Sequence, residues 1–136
     1  MIRALARLIL ALALGAIGIV HFVSTRGFRV VVPDWATKAT RLDKDAIVIA
    51  SGAAEVALAV GLLALPKERR RIGFATAAFF VAVFPGNIAQ WVEHRDAFGL
   101  DTDMKRFVRL FFQPVLIALA IWSTRTPRRA DRTAAL

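Results

Sequence analysis

Residues 46–65 read AIVIASGAAEVALAVGLLAL, a run of apolar and small residues in which Glu55 is the only charged side chain. A run of this length and composition is typical of a helix that crosses a lipid bilayer. An ionised carboxylate at the centre of a bilayer costs about 2.5 to 3.5 kcal/mol on insertion scales, so Glu55 needs a partner, a proton or water. Ser51 lies one helical turn before it, among small residues that let other helices pack closely. We therefore expect other intramembrane polar residues to converge on Glu55.

The composition of the whole chain indicates a small integral membrane protein. Of its 136 residues 57% are hydrophobic, and the mean hydropathy is +0.56, which is far more apolar than an ordinary soluble domain. The sequence predicts an all-α fold, a four-helix membrane bundle that forms one transmembrane domain over residues 1–136. The expected spans are residues 4–23, 46–65, 72–92 and 107–122, followed by a basic tail at 124–136.

Charge and residue types exclude several function classes. The formal net charge is +9, but Lys and Arg flank the apolar segments, which is typical of membrane-flanking charge rather than nucleic-acid binding. The absence of cysteine excludes thiol catalysis, disulfides and thiolate metal sites. The two histidines, His21 and His94, lie in different segments, so we expect no metal site and no cofactor held within the chain itself. No catalytic residue is identified.

The distribution of basic residues predicts an orientation. The short connection at residues 66–71, Pro-Lys-Glu-Arg-Arg-Arg, is typical of a cytoplasmic loop. With four spans, both termini then lie on the cytoplasmic side, and the basic tail agrees with this. The positive start before residues 4–23 resembles a signal peptide, but no suitable cleavage site follows the apolar run, so we expect a retained first helix. The predicted location is the inner, or cytoplasmic, membrane, which the chain crosses several times.

The connection at residues 24–45 contains a short apolar piece, residues 28–35, that is too short to span a bilayer. Pro33 and Trp35 favour a segment that lies in the membrane interface or folds back over the mouth of the bundle as a partial lid. A surface loop anchored by the tryptophan alone is the other interpretation, and the sequence does not decide between the two.

Four polar residues on the other segments are expected in the same half of the bilayer as Glu55. His21 ends the first helix, Asn87 follows Pro85 and Gly86 in the third, and Arg109 and Gln113 share one face of the fourth. A rise of about 1.5 Å per residue from the outer end places Glu55 at about 13 Å, Gln113 and Asn87 at about 9 and 7 Å, and Arg109 and His21 at about 3 Å, all in the outer half. That asymmetry is typical of a cavity open to one side. We expect Glu55 to pair with Arg109, and we expect the other pocket residues around that pair to be Gln113, Asn87, His21 and Ser51.

Several short motifs, taken in order, resemble the DoxX-like family of small membrane proteins. They are Gly18-x-x-His21-Phe22, Val32-Pro33, Ser51-Gly52-x-x-Glu55, Phe84-Pro85-Gly86-Asn87 and Arg109-x-x-x-Gln113. The resemblance covers roughly residues 21–122. It implies a four-helix membrane bundle with His21, Glu55, Asn87, Arg109 and Gln113 as the family's polar positions. It also implies, through some relatives, partnership with redox enzymes such as thiosulfate:quinone oxidoreductase.

Three hypotheses about function follow. In the first, the chain is a membrane subunit or partner of a redox system, and its outer-leaflet pocket binds a quinone headgroup. In the second, the same pocket binds or transports a lipid or a small anion against Arg109. In the third, the polar residues fix helix register in a structural assembly protein with no chemistry of its own. The expected partners are the lipid bilayer and either a redox enzyme or further copies of the chain.

Overall fold

The computed structural model describes residues 1–126 and is all-α. Residues 127–136 of the expected basic tail lie outside the described residues. Four long helices make up most of the fold, and each is long and apolar enough to cross a membrane. They are α1 (Ile2–Val23), α4 (Lys44–Ala64), α5 (Arg69–Val92) and α6 (Asp103–Thr124). Two short helices, α2 (Thr25–Phe28) and α3 (Asp34–Thr40), and a 3₁₀ turn at Arg29–Val31 lie between α1 and α4.

Helices α4 and α6 begin earlier than the expected apolar spans because polar residues cap their first turns. The Asp43 carboxylate accepts a hydrogen bond from the Ala46 backbone N–H at 2.7 Å, and the Thr102 hydroxyl accepts one from the Lys105 backbone N–H at 3.3 Å. These caps satisfy backbone donors that a helix start leaves unpaired. Helix α4 ends just before Pro66, which lacks the N–H needed to continue it.

The bundle consists of two helix pairs. Helix α1 packs mainly against α4, and α5 packs mainly against α6, with smaller contacts of α1 with α6 and of α4 with α5. The two ends of the bundle differ in what they carry. The terminal end holds Met1, the α4–α5 connection and Thr124, whereas the loop end holds the connections at residues 24–43 and 93–102.

Apolar packing is concentrated in the half of the bundle nearer the terminal end. Its buried core contains Leu10, Ala11, Leu14, Ala59, Leu62, Ala77, Phe80 and Ala120. Many large apolar side chains point outward instead, as Ile9, Leu63 and Phe111 do on three different helices. An apolar exterior of this extent is what a lipid-facing surface requires. The half nearer the loop end therefore has room in its interior for the polar residues.

Candidate functional site

His21 and Glu55 meet between α1 and α4, where two glycines allow the helices to touch. A Cβ atom on Gly18 would lie 2.8 Å from the Gly52 carbonyl oxygen and 3.0 Å from Glu55 Cβ. One on Gly52 would lie 2.7 Å from His21 Cβ and 2.8 Å from the Gly18 carbonyl oxygen. Each polar side chain therefore packs over the glycine of the opposite helix, and backbone proximity brings the two together.

The His21–Glu55 contact is buried and joins a ring nitrogen to a carboxylate oxygen. The His21 Nδ1 atom lies 3.0 Å from Glu55 Oε2, and both residues are only 8% exposed. The same Nδ1 lies 2.8 Å from the Ile17 carbonyl oxygen. One ring nitrogen carries at most one hydrogen, so it cannot donate fully to both acceptors. Within residues 1–126, Glu55 Oε2 has no well-aligned hydrogen bond, which leaves this carboxylate able to accept a proton or a donor.

Asn87 and Gln113 meet between α5 and α6. Asn87 Nδ2 donates to Gln113 Oε1 at 3.2 Å, and Gln113 Nε2 donates to the Phe80 carbonyl oxygen at 2.6 Å. Gln113 is 2% exposed. Pro85 lies inside α5 and removes one N–H from its hydrogen-bond ladder. The side chain that reaches the α5 backbone near this proline is Gln113, from helix α6.

The predicted pair of Glu55 with Arg109 is not formed. Glu55 takes His21 as its partner, because α4 packs chiefly against α1 and not against α6. Arg109 forms no ion pair within the described part of the chain, and its buried Nη1 has no hydrogen-bond partner there. Ser51, one turn before Glu55, likewise forms no side-chain hydrogen bond with it. Four of the six expected pocket residues thus divide between two contacts. Arg109 and Ser51 lie outside both.

A cover segment, residues 28–32, lies over the loop end and touches both helix pairs. The Phe28 ring stacks on the His21 ring, with centroids 3.8 Å apart. On the other side, a Cβ atom on Gly86 would lie 2.5 Å from the Val31 carbonyl oxygen, so the segment rests directly on the backbone of α5. Val32 is buried. Of the two interpretations of this connection, the structure has the one in which it folds back over the bundle mouth.

Two arginines, Arg95 and Arg106, hold the loop end together. Arg95 Nη1 donates to the Val30 carbonyl oxygen at 2.8 Å and so ties down the cover segment. Arg106 is only 6% exposed and donates to Asp96 at 2.5 Å, to Asp103 at 3.0 Å and to the Leu100 carbonyl oxygen at 2.8 Å. The signal for this role was the density of carboxylates between residues 93 and 103.

This arrangement can accept and release a proton at the His21–Glu55 pair, and it offers the Arg109 guanidinium as an unused hydrogen-bond donor. In residues 1–126, no three His, Asp or Glu side chains group closely enough to hold a metal ion.

A family model described as a domain of unknown function (DUF8561) matches residues 10–124 of the chain. The match runs from the first half of α1 to the last residue of α6 and so includes the polar residues of both helix contacts. No curated protein and no solved structure matches the chain.

Proposed function

We propose that this chain, which belongs to the DUF8561 family of domains of unknown function, crosses the cytoplasmic membrane with its four long helices. Both termini would lie on the cytoplasmic side. The charge distribution supports this orientation. The short connection at residues 66–71 carries four Lys and Arg side chains and one carboxylate, Glu68. A dense cluster of basic residues in a short connection is typical of the cytoplasmic side.

The function we propose is that of a membrane subunit or partner of a quinone-linked redox system, with the quinone headgroup bound in the loop-end half. The observation that carries this proposal is the buried His21–Glu55 pair beneath the Phe28 ring. A quinone needs hydrogen-bond donors at its oxygens and a proton carrier nearby, and an imidazole beside a carboxylate supplies both. The buried Arg109 Nη1, which has no hydrogen-bond partner in residues 1–126, is the second donor we assign to the quinone if the headgroup reaches from α4 to α6. The motifs that resemble the DoxX-like proteins support the redox partnership, and electrons must come from a partner protein.

The experiment is a binding titration with a short-chain ubiquinone analogue on the full chain in lipid nanodiscs, followed by quenching of tryptophan fluorescence. Wild-type protein should show saturable quenching, and Glu55→Gln should weaken it about tenfold, the loss expected for one hydrogen bond to a charged group. The matched control is Glu68→Gln, which makes the same chemical change at an exposed carboxylate and should leave binding unchanged. Quenching that never saturates, or that both variants alter equally, overturns the quinone site.

A structural role is the second candidate, and the contact between Gly18 and Gly52 favours it. Where two helix backbones touch, an ion pair beside the contact fixes their register whether or not a ligand binds. In this case Glu55→Gln would lower the stability of the bundle, and no quinone would bind to the wild type. The lipid or small-anion alternative depends on Arg109 instead, and Arg109→Gln would then abolish binding of the anion while Glu55→Gln would not.

A further inference from the structure

An open cavity of about 660 Å³ lies at the terminal end, far along the helices from His21 and Glu55. It is enclosed by the first two turns of α1, the first residue of α5 and the last turn of α6. The accessible lining is almost entirely apolar and includes Met1, Ile2, Ala4 and Trp122, and four arginines and one serine also contribute to it. These are Arg3, Arg7, Arg69, Arg125 and Ser123.

None of the four arginines forms an ion pair with another residue in the range 1–126. The one carboxylate on the α4–α5 connection, Glu68, is paired with Arg71 at 2.9 Å and does not line the cavity. The loop end differs because it is rich in carboxylates. Every carboxylate there either pairs with a basic side chain or caps a helix. The cavity therefore concentrates positive charge that the described chain leaves uncompensated.

Two buried polar atoms at the cavity also lack partners. Ser123 is only 1% exposed, and its Oγ forms no hydrogen bond with any residue from 1 to 126. The Arg69 Nε atom is also buried, and it too has no acceptor among residues 1–126. A buried donor left unsatisfied costs about 1–3 kcal/mol, so such atoms are expected where a ligand supplies the missing acceptor. Both of these donors belong to residues that line the cavity.

Trp122 places the cavity at the depth of lipid headgroups. Its ring is 37% exposed near the end of α6, and the Arg3 guanidinium lies over it, 5.8 Å from the ring centroid. Tryptophan at a helix end is characteristic of the boundary between hydrocarbon and headgroups. A ligand here would meet apolar surface on the hydrocarbon side and guanidinium groups on the aqueous side.

We propose that this cavity binds an anionic phospholipid from the leaflet at the terminal end. The glycerol and upper acyl carbons would lie against the apolar lining beside Trp122, and the four arginines would meet the phosphate oxygens at the aqueous opening. Ser123 and Arg69, whose free donors are covered in the structure, would turn toward the phosphate. Basic pockets between helices at the cytoplasmic surface recognise anionic headgroups by this chemistry. A free phosphate ion is also an anion but has no carbon to place against the apolar wall. This inference uses the membrane placement and is independent of the quinone site.

The test is native mass spectrometry of the full chain released from nanodiscs that contain equal amounts of phosphatidylglycerol and phosphatidylcholine. Wild-type protein should retain phosphatidylglycerol in preference to phosphatidylcholine, and Arg69→Gln should reduce that preference about tenfold, the loss expected for one hydrogen bond between charged groups. The matched control is Arg70→Gln, which removes the same charge from the next residue, outside the cavity, and should retain the wild-type preference.

Three results overturn the proposal. Equal loss in Arg69→Gln and Arg70→Gln would mean that surface charge attracts lipid without a site. Retention of both lipids in equal amounts by the wild type would mean that there is no headgroup selection. Displacement of the lipid by millimolar inorganic phosphate would assign the cavity to a free anion. Arg3→Gln, on a different helix, guards against a folding defect specific to position 69, and it should reduce the preference to a similar extent.

Discussion

The α1–α4 and α5–α6 pairs use opposite means to hold polar groups inside an apolar bundle. The first pair places a histidine against a carboxylate across two touching glycine backbones. The second places two neutral amides in sequence, Asn87 to Gln113 to the Phe80 carbonyl oxygen, beside a proline. The amide contact uses its donors within the bundle, whereas the charged contact leaves Glu55 Oε2 without an aligned donor. The difference indicates that α5–α6 is built for stability and that α1–α4 retains capacity for proton exchange.

The largest effect is expected at the glycine contact of α1–α4. Gly52→Ala should lower the free energy of unfolding by about 3 kcal/mol, since the new Cβ meets backbone and Cβ atoms that cannot rotate away. Gly15→Ala on α1 is the matched control, because its Cβ would lie 3.5 Å from Ala59 Cβ, an ordinary contact. Denaturation in mixed micelles measures both. If Gly52→Ala were as stable as the control, the two backbones would not be in contact.

The next effect concerns the partner of Glu55. A double-mutant cycle with His21→Ala and Glu55→Gln should give a coupling of about 2 kcal/mol in unfolding free energy, the range for residues in direct contact. The corresponding cycle between Glu55 and Arg109 should give less than about 0.5 kcal/mol, as separate sites do. Coupling of the reverse pattern would restore the pair that the sequence predicted and would remove the basis for separating the two helix pairs.

Gln113 tests the neutral contact in the same way. Gln113→Leu keeps the volume but leaves Asn87 Nδ2 and the Phe80 carbonyl oxygen without their partner, so unfolding should become easier by about 1–2 kcal/mol. Asn87→Ala is the control: it removes only the 3.2 Å bond and keeps the one to Phe80, and its effect should be smaller. The effect of Gln113→Leu should be the same at pH 6 and pH 8, since neither amide titrates. A pH-dependent effect of Gln113→Leu would show that α5–α6 is coupled to the charged contact.

The sequence predicts the four long helices well because length and apolar composition decide a membrane span without reference to other residues. Counting depth along each helix also placed Asn87 and Gln113 at similar levels, and they are in contact. Depth alone could not choose the partner of Glu55, because His21 and Arg109 were expected at the same level. Helix pairing decides that choice. The signal was a repeated spacing, since Gly18 precedes His21 by three residues as Gly52 precedes Glu55.

Other features lay outside what a linear reading shows. The cover segment depends on Gly86, whose lack of a side chain admits the Val31 carbonyl oxygen. The basic cavity depends on the ends of three helices meeting at one place. Arg3, Arg7 and Arg69 each have the position expected of a flanking charge, and only their assembly around Trp122 and Ser123 distinguishes a site from a topology signal.

The smallest effect is expected at the surface, where Asp34 of α3 links the two helix pairs. Its carboxylate lies 2.8 Å from Lys44 Nζ on α4 and 3.9 Å from Arg95 Nη2, which follows α5.

The hydrogen bond and charge of Lys44 lower the pKa of Asp34 below its usual value of 3.8. A depressed folded-state pKa adds stability above the unfolded pKa and loses it as the pH falls. Wild-type protein should therefore lose slightly more stability than Asp34→Asn between about pH 5 and pH 3, and Lys44→Gln should flatten the profile in the same way. Because Asp34 is fully exposed, screening keeps this effect small, and 0.5 M salt should remove most of it. A pH response of Asp34→Asn as steep as that of the wild type would mean that the contact at the surface does not join the pairs, and that the cover segment alone does so.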